Sequence, residues 1–104
     1  MALYNPTQVN NITESTSSGS TSSTVASATT STTILAANSN RKGCTIWNDS
    51  TATLYIDFDS SCSTSDFAVK ISAGGYYEMP FNYTGAISGI WIAANGSALV
   101  RELT

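Results

Sequence analysis

Asp57 and Asp59 stand two residues apart, and Asp66 follows in the next polar stretch. Along an extended backbone, residues two apart share a face, so the first two carboxylates could work as an acid–base pair or hold a cation. Calcium asks for about six to eight oxygen ligands from a defined loop. Glycosidase carboxylates flank a scissile bond in a cleft, and a chain of 104 residues has little mass from which to build one. The three carboxylates therefore read as a solvated strand end. Histidine is absent, which removes the usual general base and zinc ligand and both common nucleophilic triads. No phosphate loop or nucleophile elbow appears. The expectation is a protein that is not an enzyme, with no catalytic, metal or cofactor residues and no cofactor.

The second group with chemical potential is aromatic: Trp47, Tyr55, Tyr76, Tyr77, Tyr83 and Trp91. Alternation puts Trp47 and Tyr55 on the face opposite Ile46, Leu54 and Ile56, which makes them candidates for an exposed or interface surface. The six together could form a platform that stacks on a sugar, with Trp47, Tyr55 or Trp91 as its chosen contacts. The competing reading, and the favoured one, is that both sheet faces are buried, either by the arm or by neighbouring subunits. Arg41-Lys42 reads as a pair that keeps a turn soluble. The four basic residues form no patch and the net charge is −3, so nucleic acid is not an expected partner. Cys44 opens an alternating stretch and reads as a small buried hydrophobe. Cys62 lies in a Ser-rich loop, and sequence alone does not decide whether the two pair.

These residues need elements to hold them. From residue 13 to 33, 16 of 21 residues are Ser or Thr, too polar to fold by burial. Thr and Val favour extended backbone, so residues 1–33 read as an extended, β-prone N-terminal arm that gains order by pairing with another surface. Leu3, Tyr4, Val9 and Ile12 are its apolar anchors. The stretch at its start has neither a basic beginning nor an apolar core, so no signal peptide is expected. No run approaches the roughly 20 apolar residues of a membrane span, so no membrane partner is expected either. Four Asn-x-Ser/Thr sequons, at Asn11, Asn48, Asn82 and Asn95, are expected by chance in such a composition.

Residues 34–104 carry the core. Turn clusters recur at the spacing of a sandwich or barrel, and strands are expected at 34–35, 43–48, 52–58, 67–71, 76–79, 86–93 and 98–103. Gly89 inside its run marks a bulge or a close approach. Asn95-Gly96 has the composition of a type I′ hairpin. No segment shows helical periodicity. The fold expected is all-β: a small antiparallel β-sandwich, jelly-roll or immunoglobulin-like, with residues 1–33 as its arm. A domain this small is marginal alone, and charged residues are only 11% of the chain against roughly 25% in ordinary soluble domains. Both features suit assembly with other subunits.

From Asn38 onward the chain resembles small β-sandwich virion proteins of tailed bacteriophages. The residues that carry the resemblance are Asn40-Arg41-Lys42-Gly43, Thr45 through Tyr55, Phe67-Ala68-Val69-Lys70-Ile71, Gly75 through Pro80, Tyr83 through Trp91, Gly96-Ser97-Ala98 and Val100-x-Glu102. The resemblance implies a capsid decoration (cement) or head-fibre type protein, often trimeric, with arms lying on the shell or on neighbours. It carries over no catalytic residue. The expected function is a capsid cement protein that binds the major capsid protein as a homotrimer, assembled in the host cytoplasm and located in the virion. Its contacts would be Leu3, Tyr4, Val9, Ile12, Trp47, Tyr55 and Trp91, and removing residues 1–33 would abolish shell binding while leaving the domain folded. The alternative is a head-fibre, neck or tail accessory protein that binds a receptor or glycans.

Overall fold

Alternating apolar residues, β-branched side chains and frequent turn residues give strands wherever the chain is long enough to pair. The computed structural model describes residues 16–104, and among them every regular element is a strand. The strands are β1 (Ser20–Ala26), β2 (Thr32–Leu35), β3 (Gly43–Asp49), β4 (Leu54–Asp57), β5 (Val69–Ile71), β6 (Tyr76–Glu78), β7 (Ile87–Trp91) and β8 (Ser97–Leu103). They form two antiparallel sheets, ordered β1-β8-β3-β6 and β2-β7-β4-β5. The pairs β1–β8, β2–β7, β3–β6 and β4–β5 are those of one long ribbon folded around itself. The contacts β3–β8 and β4–β7 close the wrap. This is the eight-stranded jelly-roll arrangement, which decides between the two sandwich types expected.

The inner faces interdigitate. Ile34, Cys44, Ile46, Leu54, Ile56, Ile71, Ile87, Trp91, Ala98 and Val100 are buried in one cluster. Gly89, opposite Ile56 and Thr32 in register, is there because two sheets meet over it. A Cβ at this position would stand 2.9 Å from Ile34 side-chain carbons and 3.1 Å from the Leu54 side chain, so close approach is the reason for the glycine. Both cysteines are free and buried. Cys44 packs in the core with Met79, sulfur to sulfur 4.0 Å, as a small hydrophobe does.

Two polar knots hold the loops at opposite ends. At one end Asn48 is fully buried. Its amide Nδ2 lies 2.8 Å from Ala52 O, 3.0 Å from Ile71 O and 3.1 Å from Ser72 O. Its Oδ1 accepts from Ser50 Oγ at 2.7 Å and Trp91 Nε1 at 3.1 Å. At the other end Arg41 is buried, contrary to the expectation that Arg41 and Lys42 together face water. Arg41 Nε donates to Glu102 Oε2 at 2.8 Å. Nη1 donates to Tyr83 O and Gly85 O, and Nη2 to Ala36 O at 2.6 Å. A planar five-donor head can satisfy several carbonyls and a carboxylate at once, and so the sequence-level rule for exposed cations fails here. Lys42 remains exposed and donates to Thr16 O.

Two further expectations are corrected. β7 and β8 lie in different sheets, so Asn95-Gly96 is part of a crossing loop and not a hairpin. Among the described residues positive φ occurs only at Gly74, at 72°, whereas a type I′ turn needs it at both central residues. Gly96 is a glycine for space: a Cβ there would stand 2.3 Å from Asp49 O. Residues 20–26 pair with the chain's own β8 along seven positions, and Thr32 and Thr33 pair with β7. The part of the arm from Ser20 onward therefore belongs to the sandwich, and the domain begins before residue 34. The physical reason is that backbone pairing to β8 replaces the missing apolar side chains; in β1 only Val25 is even half-buried.

Candidate functional site

The register of the first sheet builds a row across all four of its strands. Thr24 of β1 pairs with Leu99 of β8, Leu99 with Trp47 of β3, and Trp47 with Tyr76 of β6. Ile46 and Val100, the neighbours in chain, point into the core with no exposure. Period-two alternation therefore turns this whole row outward. Trp47 is 46% exposed, Tyr76 54% and Leu99 39%. The Trp47 and Tyr76 rings lie 6.3 Å apart, tilted by 53°. Above the row stand Ser22, Arg101, Thr45 and Glu78 in register, and below it Ala26, Ser97 and Asp49. The Tyr76 hydroxyl donates to Glu78 Oε2 at 3.3 Å. Loss of hydration, and then the Glu78 carboxylate, push the Tyr76 phenol above its ordinary value. The result is an apolar strip with hydrogen-bonding groups and both signs of charge along its margins. Such a surface can stack on a flat apolar or sugar face or dock on protein.

Of the expected contact residues, Trp47 lies at the centre of this strip. Tyr55 does not join it. It lies on the outward face of the second sheet, as alternation requires, but the 58–68 connection folds back over it and leaves it 8% exposed. Phe67 packs edge-on against its ring at 4.6 Å. Cys62 Sγ approaches Tyr55 O at 3.5 Å, and Cys62 N–H donates to Ser31 Oγ. A Ser-rich loop gives no sequence signal that it will lie on a sheet. Trp91 is corrected more fully: it is 1% exposed, faces the core, and spends its single donor on Asn48. Leu3, Tyr4, Val9 and Ile12 lie outside the described residues. Leu99 was missed as a site residue, and Tyr76, one of the six candidate aromatics, was left out of the expected contacts. The signal that joins both to Trp47 is their shared parity, which becomes visible only once the strands are paired.

The carboxylates are turned to local work. Asp57 Oδ1 accepts from Phe58 N–H at 2.9 Å and Asp59 Oδ1 from Ser60 N–H at 2.6 Å. Among the described residues no three His, Cys, Asp or Glu side chains stand together as a metal group, and no helix is long and apolar enough to cross a membrane. A shallow polar depression of about 470 Å³ is lined by Ser39, Asn40, Arg41, Lys42, Asn82 and Thr104, but Arg41 is already committed to Glu102 and three carbonyls. No family model, curated protein or solved structure matches this chain.

Proposed function

We propose that this chain is a structural protein of a tailed-bacteriophage virion, a capsid decoration protein that binds the major capsid shell as an oligomer and stabilises it. The observation that carries the reading is the outward Trp47–Tyr76–Leu99 strip on a four-stranded face. An apolar centre with a polar margin is the anatomy of a docking patch, and Trp and Tyr are frequent anchors in such patches. The low charge of the chain keeps the desolvation cost of docking small. The resemblance of residues 38–104 to phage virion proteins supports the same reading. So does the jelly-roll order, an arrangement used by viral capsid domains, although fold alone never assigns function. Leu3, Tyr4, Val9 and Ile12 would add contacts by strand addition or docking on a neighbour, and several copies per oligomer would multiply them.

The same strip favours a second reading. Exposed Trp and Tyr beside Glu78, Asp49 and Arg101 could hold a glycan, as in a head fibre or tail accessory protein. One experiment separates the two: binding of Trp47→Ala and Tyr76→Ala variants to purified shells lacking decoration, alongside a glycan array. Loss of shell binding with no glycan signal supports decoration. Glycan binding abolished by Trp47→Ala, with shells left bare, sinks it. The truncation that tests the arm must stop at residue 15, because removing residues 1–33 also deletes β1 and half of β2.

A further inference from the structure

Each sheet has two edges, and three of the four carry features that discourage an added strand. β6 has three residues and ends on Glu78; β5 has three residues with an exposed Lys70; β2 has four residues and a register shift between Thr33 and Leu35. Short length, charge and irregular register are the usual protections of an edge. β1 has none of them. It runs seven residues in unbroken register, without charge or proline, and all but Val25 are exposed. Among the described residues its only neighbour is β8.

The ladder also fixes which backbone groups are free. Thr104 N–H donates to Gly19 O and Ser27 N–H to Gly96 O, each at 2.9 Å. In an antiparallel pair the bonded positions alternate. These two bonds bracket the continuous register between them, so odd-numbered residues of β1 face β8. The N–H and C=O groups of Ser20, Ser22, Thr24 and Ala26 then point to the open side.

We propose that this edge is an interface between two copies of the chain, β1 against β1 antiparallel across a two-fold axis. A centre at Ser23 would set Ser20 opposite Ala26 of the second copy and Ser22 opposite Thr24, so that every open group on both strands finds a partner. A two-fold contact uses the same patch on each copy and closes on itself, which suits a sandwich whose described residues leave one edge unprotected. The strand is uncharged, so two copies of a chain of net charge −3 meet without bringing like charges face to face along the ladder. The joined sheet would run β6-β3-β8-β1 and back through the second copy, with both Trp47–Tyr76–Leu99 strips on the same side. This inference does not rest on the virion reading, and it puts a dimer where the resemblance implies a trimer.

The test is sedimentation velocity of the full chain, with Ser22→Pro and Thr24→Lys variants. Proline at residue 22 removes an N–H that faces the open side and none that faces β8, a placement that edge strands tolerate. Thr24→Lys places a charge on the edge without touching its hydrogen bonds. The wild type is expected to sediment at twice its 10.9 kDa mass. Both variants are expected to weaken the dimer by about tenfold or more, with unchanged far-ultraviolet circular dichroism. If proline disturbs the fold, the lysine variant decides. A wild type that stays monomeric, a trimer, or a dimer that survives in a folded Thr24→Lys variant overturns the proposal.

Discussion

Replacing Arg41 with alanine should be among the most damaging single changes outside the apolar core. The side chain has no exposure, and Glu102, its ion partner, is 15% exposed. Removing the guanidinium strips a 2.8 Å charge-assisted bond from Glu102 and leaves the carbonyls of Ala36, Tyr83 and Gly85 without their donor. Breaking one side of a buried pair costs about 3–5 kcal/mol. Each orphaned buried acceptor adds up to about 1–3 kcal/mol where water cannot replace the donor. Two features hold the total toward the lower figure: Asn38 Nδ2 still donates to Glu102 Oε1 at 3.1 Å, and the partial exposure of Glu102 admits water. The expected loss is therefore about 3–5 kcal/mol, a large part of the 5–15 kcal/mol or so that such domains possess, and a fall in melting temperature of at least about 12 °C. Arg41→Lys should recover only part of it, since an ammonium cannot span a carboxylate and three carbonyls in one plane. Urea unfolding followed by tryptophan fluorescence measures both. A loss below about 1 kcal/mol for Arg41→Ala would refute the claim that this knot holds the loops together.

The two tryptophans should separate cleanly in the same assay. Trp91→Ala empties a fully buried site and orphans Asn48 Oδ1 of one donor, with an expected cost of about 3–5 kcal/mol. Trp47→Ala should stay within about 1 kcal/mol, while removing whatever binding the outward strip provides. Burial, then the Asp57 and Asp66 carboxylates, push the Cys62 thiol up to about 11, and burial is the main cause that pushes Cys44 up. Both thiols should react slowly with a disulfide reagent in the native state at pH 8 and rapidly in urea. Because the unfolded chain ionises first, stability is intact below the ordinary thiol range and is lost as pH rises through it toward about 11. A urea midpoint that rises with pH over that interval, or a fall that Cys62→Ser leaves unchanged, contradicts this.

Strands were legible where alternation and burial agree. Leu54, Ile56 and Tyr55 took the faces that period two assigns, and so did Ile46 and Trp47. What alternation does not report is whether an outward face stays outward. Trp47 does, because nothing among the described residues crosses the first sheet. Tyr55 does not, because a serine-rich connection lies over the second, anchored by hydrogen bonds of Cys62. Trp91 sits in a stretch apolar on both sides, AISGIWIA, which leaves its direction undetermined until β4 pairs with it. β1 was illegible for the opposite reason. Its side chains carry almost no apolar signal, and its place is set by backbone bonds to a strand more than seventy residues away in the chain. The distant partner also explains Arg41, whose burial depends on Glu102 arriving beside it.

The two polar knots and the unprotected edge follow from one constraint. A sandwich this small has a limited core and commonly needs a staple such as a disulfide or metal, yet Cys44 and Cys62 are unpaired. Asn48 and Arg41 take the place of staples: each gathers backbone carbonyls from separate loops, Ala52, Ile71 and Ser72 around one, Ala36, Tyr83 and Gly85 around the other. Because the stapling is internal and placed at the two ends, it spends none of the outer face of the first sheet and none of the β1 edge. A disulfide-stapled domain could carry charged, solvated faces and remain alone. The described residues instead leave an aromatic strip and a neutral seven-residue edge open, and burying either against another protein would add apolar area and backbone bonds to the domain. Stability and assembly are then the same problem, so dimerisation through β1 should raise the melting temperature with protein concentration.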